Sequence, residues 1–187
     1  MEVKQIDSIE TEAMLLGSAM IFAQRIEFIL YGVASHLSHL PEAQKEKRFR
    51  DLTPEQFLVG DPNALKATLG QLLKQFGDRL MINSPEIDDF CARRNTIAHN
   101  YVREFRLGSR GKPPRKDGVD FLVDFVLQAR KVESVLQGLM LSLMEAAAKK
   151  EGREQEIVDT LKDGAHHLEA FAEHLLRNHI ASKDEAP

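Results

Sequence analysis

The chain has 187 residues, enough for one domain with a real core and short for two. Apolar residues make up 43% and charged residues 29% of it, which argues against extensive disorder. The net charge of -4 excludes a chain that holds nucleic acid through bulk positive charge. A single cysteine, Cys91, excludes an intrachain disulfide framework and a Cys-rich zinc module, and fits a reducing compartment.

The first segment carries Ile9, Ala13, Leu16, Met20, Ala23, Ile26, Leu30, Val33 and Leu37 at spacings of three and four. That pattern predicts one long amphipathic helix ending near Pro41. Near the start, the uncharged stretch from Ala13 to Ala23 is too short to span a bilayer, and no leader pattern is expected. The expectation is a cytoplasmic protein with no membrane partner. Thr53-Pro54-Glu55-Gln56 reads as a capping box opening a short helix. Asn63 is placed to cap another, with Leu65, Leu69, Leu72, Leu73 and Phe76 on one face and Gly77 as its stop.

Ser84-Pro85 opens a helix running through Phe90, Ile97, Tyr101 and Phe105 to about Leu107. The glycine- and proline-rich stretch from Gly108 to Gly118 reads as a mobile basic loop. Leu122, Phe125, Ala129, Val132, Leu136, Leu139, Leu143 and Ala146 then give the cleanest helical period in the chain. A last helix is expected near Glu154 to Ile180. No segment alternates with period two, so the predicted fold is an all-α antiparallel bundle of four to five long helices.

One constellation stands above background: Arg94-Asn95, three residues, then His99-x-Tyr101. At about 100° per residue, Phe90, Ile97, Tyr101, Phe105 and Ala98 share one arc, and Arg94 falls in its middle. An arginine in a buried stripe requires a carboxylate partner, a cleft or a second subunit, because its charge cannot be shed. Arg94 and His99 lie about 140° apart around a straight helix, so one helix does not aim both at a single atom. The long arginine wrapping round, a bend in the helix, or a second copy of the helix across a two-fold axis would bring the two together.

Arg94-Asn95 followed by His99-x-Tyr101 resembles the signature of the HEPN superfamily (higher eukaryotes and prokaryotes nucleotide-binding). The ending is similar to that of the toxins in HEPN/nucleotidyltransferase toxin-antitoxin pairs. The long first helix with Gln24-Arg25-Ile26-Glu27 and the Thr68-Leu69-Gly70-Gln71-Leu72-Leu73 segment agree with it. The resemblance implies a HEPN-like bundle over residues 1–150, with 151–187 as a C-terminal helical extension packed on the same domain. It further implies a symmetric homodimer acting as an endoribonuclease with no metal or other cofactor, and a toxin or defence role. An antitoxin or nucleotidyltransferase would then be a partner protein.

RNA carries its own nucleophile, the 2′-hydroxyl, so such a site needs only a base, an acid and charge stabilisation. Histidine, titrating near neutrality, suits His99 to move the proton. Arg94 would stabilise charge growing on phosphorus, Asn95 would orient the phosphate or the imidazole, and Tyr101 would stack a base or donate to phosphate. In the toxin pairs the matching tyrosine is open to modification by the partner. The products would be a 2′,3′-cyclic phosphate and a 5′-hydroxyl.

Charge placement bears on this. Between Cys91 and Lys116, the cations Arg93, Arg94, Arg103, Arg106, Arg110, Lys112, Arg115 and Lys116 face the single carboxylate of Glu104. That segment carries +7 and leaves -11 for the rest, so RNA-binding residues are expected there: Arg93, Arg103, Arg106, Arg110, Lys112, Arg115 and Lys116. The alternative is a non-catalytic module of the same kind that binds a nucleotide, RNA or a protein. His166, His167, His174 and His179 form no His-Glu-x-x-His pattern and read as an exposed polar face rather than a metal site.

Overall fold

A computed structural model describes residues 2–37 and 73–184, apart from 75, 79, 109 and 110. The predicted helices at Thr53 and Asn63, except for residues near Leu73 and Phe76, lie outside the described residues. Helix α1 spans Glu2–Leu37, α2 Pro85–His99, α3 Gly118–Glu151, α4 Glu154–Asp163 and α5 Ala165–Asp184. A π-helical turn covers Arg103–Leu107. Among the described residues there is no strand, so the all-helical expectation holds.

The chain divides into two compact units, Met1–Arg25 with Pro85–Lys131 and Ile26–Ser84 with Val132–Pro187. In the first, α1 buries Ala19 and Ala23, α2 buries Ile87, Phe90 and Ile97, and α3 buries Leu122, Phe125 and Ala129. Phe90 and Phe125 stack with ring centroids 5.2 Å apart, adding a specific geometry to the area they remove from water. α2 starts on Pro85, whose missing N–H costs nothing at a first helical position. Glu86 and Asp88 in its first turn and His99 in its last complement the helix dipole.

In the second unit, Ile26, Leu30 and Val33 of α1 are buried, as are Val132, Leu136 and Leu139 of α3 and Phe171 of α5. The predicted last helix divides at Gly164, which caps α4 by donating its N–H to the Thr160 carbonyl at 3.0 Å. A Cβ there would meet the end of the Leu141 side chain. His174, expected on an exposed face, is 3% exposed. Its ring Nε2 meets Asn178 Nδ2 at 3.0 Å, and that amide also donates to the Asn83 carbonyl. A buried imidazole with hydrogen-bonding partners is an ordinary core component.

Two further sequence expectations change. The helix foreseen to Leu107 is regular only to His99. Asn100 N–H still reaches the Thr96 carbonyl at 2.8 Å, but the backbone then widens into the π turn and stops at Gly108, with φ 78°. Ile9–Val33 of α1 is also long and apolar enough to cross a membrane by length and composition. The uncharged-stretch argument overlooked this because a spanning window tolerates isolated charges. Ala19, Ala23, Ile26, Leu30 and Val33 of this stretch are buried within the protein, while Ile9, Met14, Ile21 and Phe28 are exposed.

Candidate functional site

The motif sits in the last turns of α2 and the residues just after it, all in the first unit. Arg94 is half-buried, and its Nη1 donates to Asn95 Oδ1 at 3.3 Å. The carbonyl oxygen of the Asn95 side chain thereby braces one edge of the guanidinium fork. Asn95 is exposed. His99, the last residue of α2, is exposed as well. The stripe from Phe90 through Ile97 to Tyr101 and Phe105 is buried as predicted. Arg94 lies at the margin of that stripe and is half-buried.

Tyr101 belongs to a different cluster. It is 4% exposed, its ring packs on Phe105 with centroids 4.8 Å apart, and its hydroxyl donates to Glu12 Oε1 at 2.7 Å. Arg106 donates to the other oxygen of the same carboxylate. Burial, then the hydrogen bond to Glu12 and that residue's charge, push the phenol far above the ordinary tyrosine range, against a smaller opposite pull from Arg106. The phenol therefore stays protonated at neutral pH and donates to Glu12. A Cβ at Gly118, the first residue of α3, would stand 2.8 Å from the Tyr101 hydroxyl, so glycine there leaves the ring its place.

Among the described residues, the predicted RNA-binding cations divide into two groups. Arg93 donates to Gln128 Oε1 and to the Phe121 carbonyl, both at 3.2 Å, and its guanidinium lies 5.0 Å from the Phe121 ring centroid. Gln128 in turn donates to the Glu86 carbonyl and to Asp89. Arg106 is taken by Glu12. Arg115 grips Asp117 through Nε and Nη2 at 3.1 and 2.6 Å, stacks 4.7 Å over Phe105, and donates its backbone N–H to the Glu104 carbonyl. The hydrogen bond from Arg115 holds the Asp117 carboxyl below the usual carboxylate range. The basic loop, read as mobile, is thus anchored at Arg115. Arg103, Lys112 and Lys116 form the second group and are exposed. Arg110 lies outside the described residues.

Sequence reasoning missed Glu12, on which both Tyr101 and Arg106 converge. A signal for it exists. Glu12, Leu16, Ala19, Ala23, Ile26, Leu30 and Val33 follow one another at spacings of four and three, so Glu12 is in phase with the residues α1 buries. The predicted stripe ran instead through Ile9 and Ala13, and both are exposed. An ionisable side chain in phase with a buried stripe implies a waiting donor. Among the described residues, no group of three His, Cys, Asp or Glu side chains is placed to hold a metal ion.

No family model, curated protein or solved structure matches the chain.

Proposed function

We propose that this protein is a HEPN-type endoribonuclease, working as a homodimer, that leaves 2′,3′-cyclic phosphate and 5′-hydroxyl ends. The observation that carries the reading is the Arg94–Asn95 pair, braced at 3.3 Å and partly open to solvent, with exposed His99 five residues further along the same helix. His99 takes the 2′-hydroxyl proton or delivers one to the departing 5′-oxygen. Arg94 presents its planar fork to the phosphorane, and Asn95 sets the orientation of that fork. Because Arg94 and His99 point in different directions from one helix, each reaction centre uses residues from two copies. Arg103, Lys112 and Lys116 track the RNA backbone. In the cell the enzyme acts in the cytoplasm as a toxin or defence effector restrained by an antitoxin or nucleotidyltransferase.

The test is cleavage of a defined RNA in EDTA, with end-group analysis. His99→Ala and Arg94→Ala are each expected to lower the rate by about 100-fold or more with helix content intact. An RNA with 2′-deoxy sugars resists cleavage altogether. Full activity in the His99→Ala protein, or cleavage only with added metal, refutes the reading. Engagement of Arg93, Arg106 and Arg115 within the chain favours a second reading, a non-catalytic module that binds a nucleotide, RNA or a protein. In that case the same variants lose binding and no RNA is cut.

A further inference from the structure

The second unit contains a pocket of 360 Å³, within the size range of small-molecule sites. Phe28 and Ile29 of α1, Met140 and Leu141 of α3, Thr160 of α4 and His167 of α5 are among the residues that line it. No Asp, Glu, Lys or Arg is among its lining residues. An ionised ligand would leave water here without a counter-charge, which is costly, so the chemistry selects an uncharged one.

The polar part of the wall is ordered. His167 is half-buried, and Ser134 Oγ lies 2.8 Å from its Nδ1. The serine hydroxyl serves as donor or acceptor and thereby fixes the ring plane. Nε2 remains as the ring's second polar atom, as a donor or an acceptor according to the tautomer. Burial, with a smaller contribution from the charge of His166, lowers the imidazole pKa. This agrees with a neutral ring at the pocket wall. A few placed polar groups in an otherwise apolar cavity are the usual composition of a site that orients one small molecule.

We propose that this pocket binds one uncharged, mainly apolar small molecule whose hydrogen-bonding group pairs with His167. The site belongs to the second unit alone and is independent of the proposed ribonuclease activity.

The test uses the full chain and N-phenyl-1-naphthylamine, a neutral two-ring-system probe with one N–H that brightens on leaving water. Saturable binding at one probe per chain is expected. Thr160→Phe places a ring into the cavity from a position whose side chain is exposed, and it weakens binding by at least about tenfold with thermal unfolding unchanged. His167→Leu weakens binding of this probe while leaving unchanged the affinity for 1-phenylnaphthalene, which lacks the N–H and is read by displacement. Binding that does not saturate, or that is equal in Thr160→Phe, overturns the pocket. Equal loss of both probes in His167→Leu overturns the pairing with His167.

Discussion

Glu12 joins residues from distant parts of the chain, and its removal gives a quantitative test of how the first unit is held together. Tyr101→Phe keeps the ring on Phe105 and deletes only the hydroxyl that donates to Glu12 at 2.7 Å. A hydrogen bond to a charged acceptor contributes about 1.5–3 kcal/mol, and the lower half applies because Arg106 still serves the carboxylate. The Arg106 head is 46% exposed, so its ion pair adds no more than about 1 kcal/mol. Glu12→Ala removes both interactions and should cost about 2–3 kcal/mol. The double variant Glu12→Ala/Tyr101→Phe should then cost less than the sum of the singles, with a coupling energy of about 1–2 kcal/mol. Urea unfolding followed by far-UV circular dichroism on the four proteins measures this directly. Single effects that add to within about 0.5 kcal/mol would show that the contact does not stabilise the fold.

The raised Tyr101 pKa makes a spectroscopic prediction, since the chain has two tyrosines and no tryptophan. In Tyr31→Phe the absorbance at about 295 nm reports Tyr101 alone, and no tyrosinate should form at about pH 10, where a free phenol is half ionised. A folded pKa above the unfolded one favours the folded state below about pH 10, and that contribution is lost as pH rises from there through the folded value. Half-ionisation at about pH 10 in protein that is still helical contradicts the burial. A separate test lies in the second unit, where a Cβ at Gly138 would overlap the His167 carbonyl and crowd the Phe171 Cβ. Gly138→Ala should therefore destabilise by about 1–3 kcal/mol despite alanine's better helix propensity, and an unchanged or raised melting temperature rejects that close contact.

Helix existence was legible because burial and the helical repeat act on the same residues. Leu122, Phe125, Ala129, Val132, Leu136 and Leu139 were read from spacing alone and all are buried, whereas Leu143 is half-buried and Ala146 exposed at the far end of the same predicted stripe. The N-terminal half of α1 was harder, since apolar residues occupy two adjacent phases there. The exposed one, with Ile9 and Ala13, looks as convincing on paper as the buried one with Ala19 and Ala23. The π turn was illegible because a helical wheel assumes a constant angle per residue. For the motif, the residue types and spacing were readable, but their solvent exposure was not. Nor could the sequence tell a cation facing water, such as Arg103, from one consumed by a neighbour, such as Arg93. That choice is made by Gln128 and Phe121, which lie about thirty residues away.

Helices α1 and α3 each run without a break from one unit into the other. Neither unit is therefore written as one uninterrupted stretch of the gene, and neither can be cut out, swapped or grafted as a cassette. Inserting a single codon between Arg25 and Ile26 would turn the residues downstream on α1 by about 100° relative to those upstream. Ile26, Leu30 and Val33 would lose phase with Leu16, Ala19 and Ala23 while every side chain remained present. The same holds for α3 between Lys131 and Val132. Length along these two helices is under as much constraint as residue identity, and variation by insertion or deletion is expected to spare them.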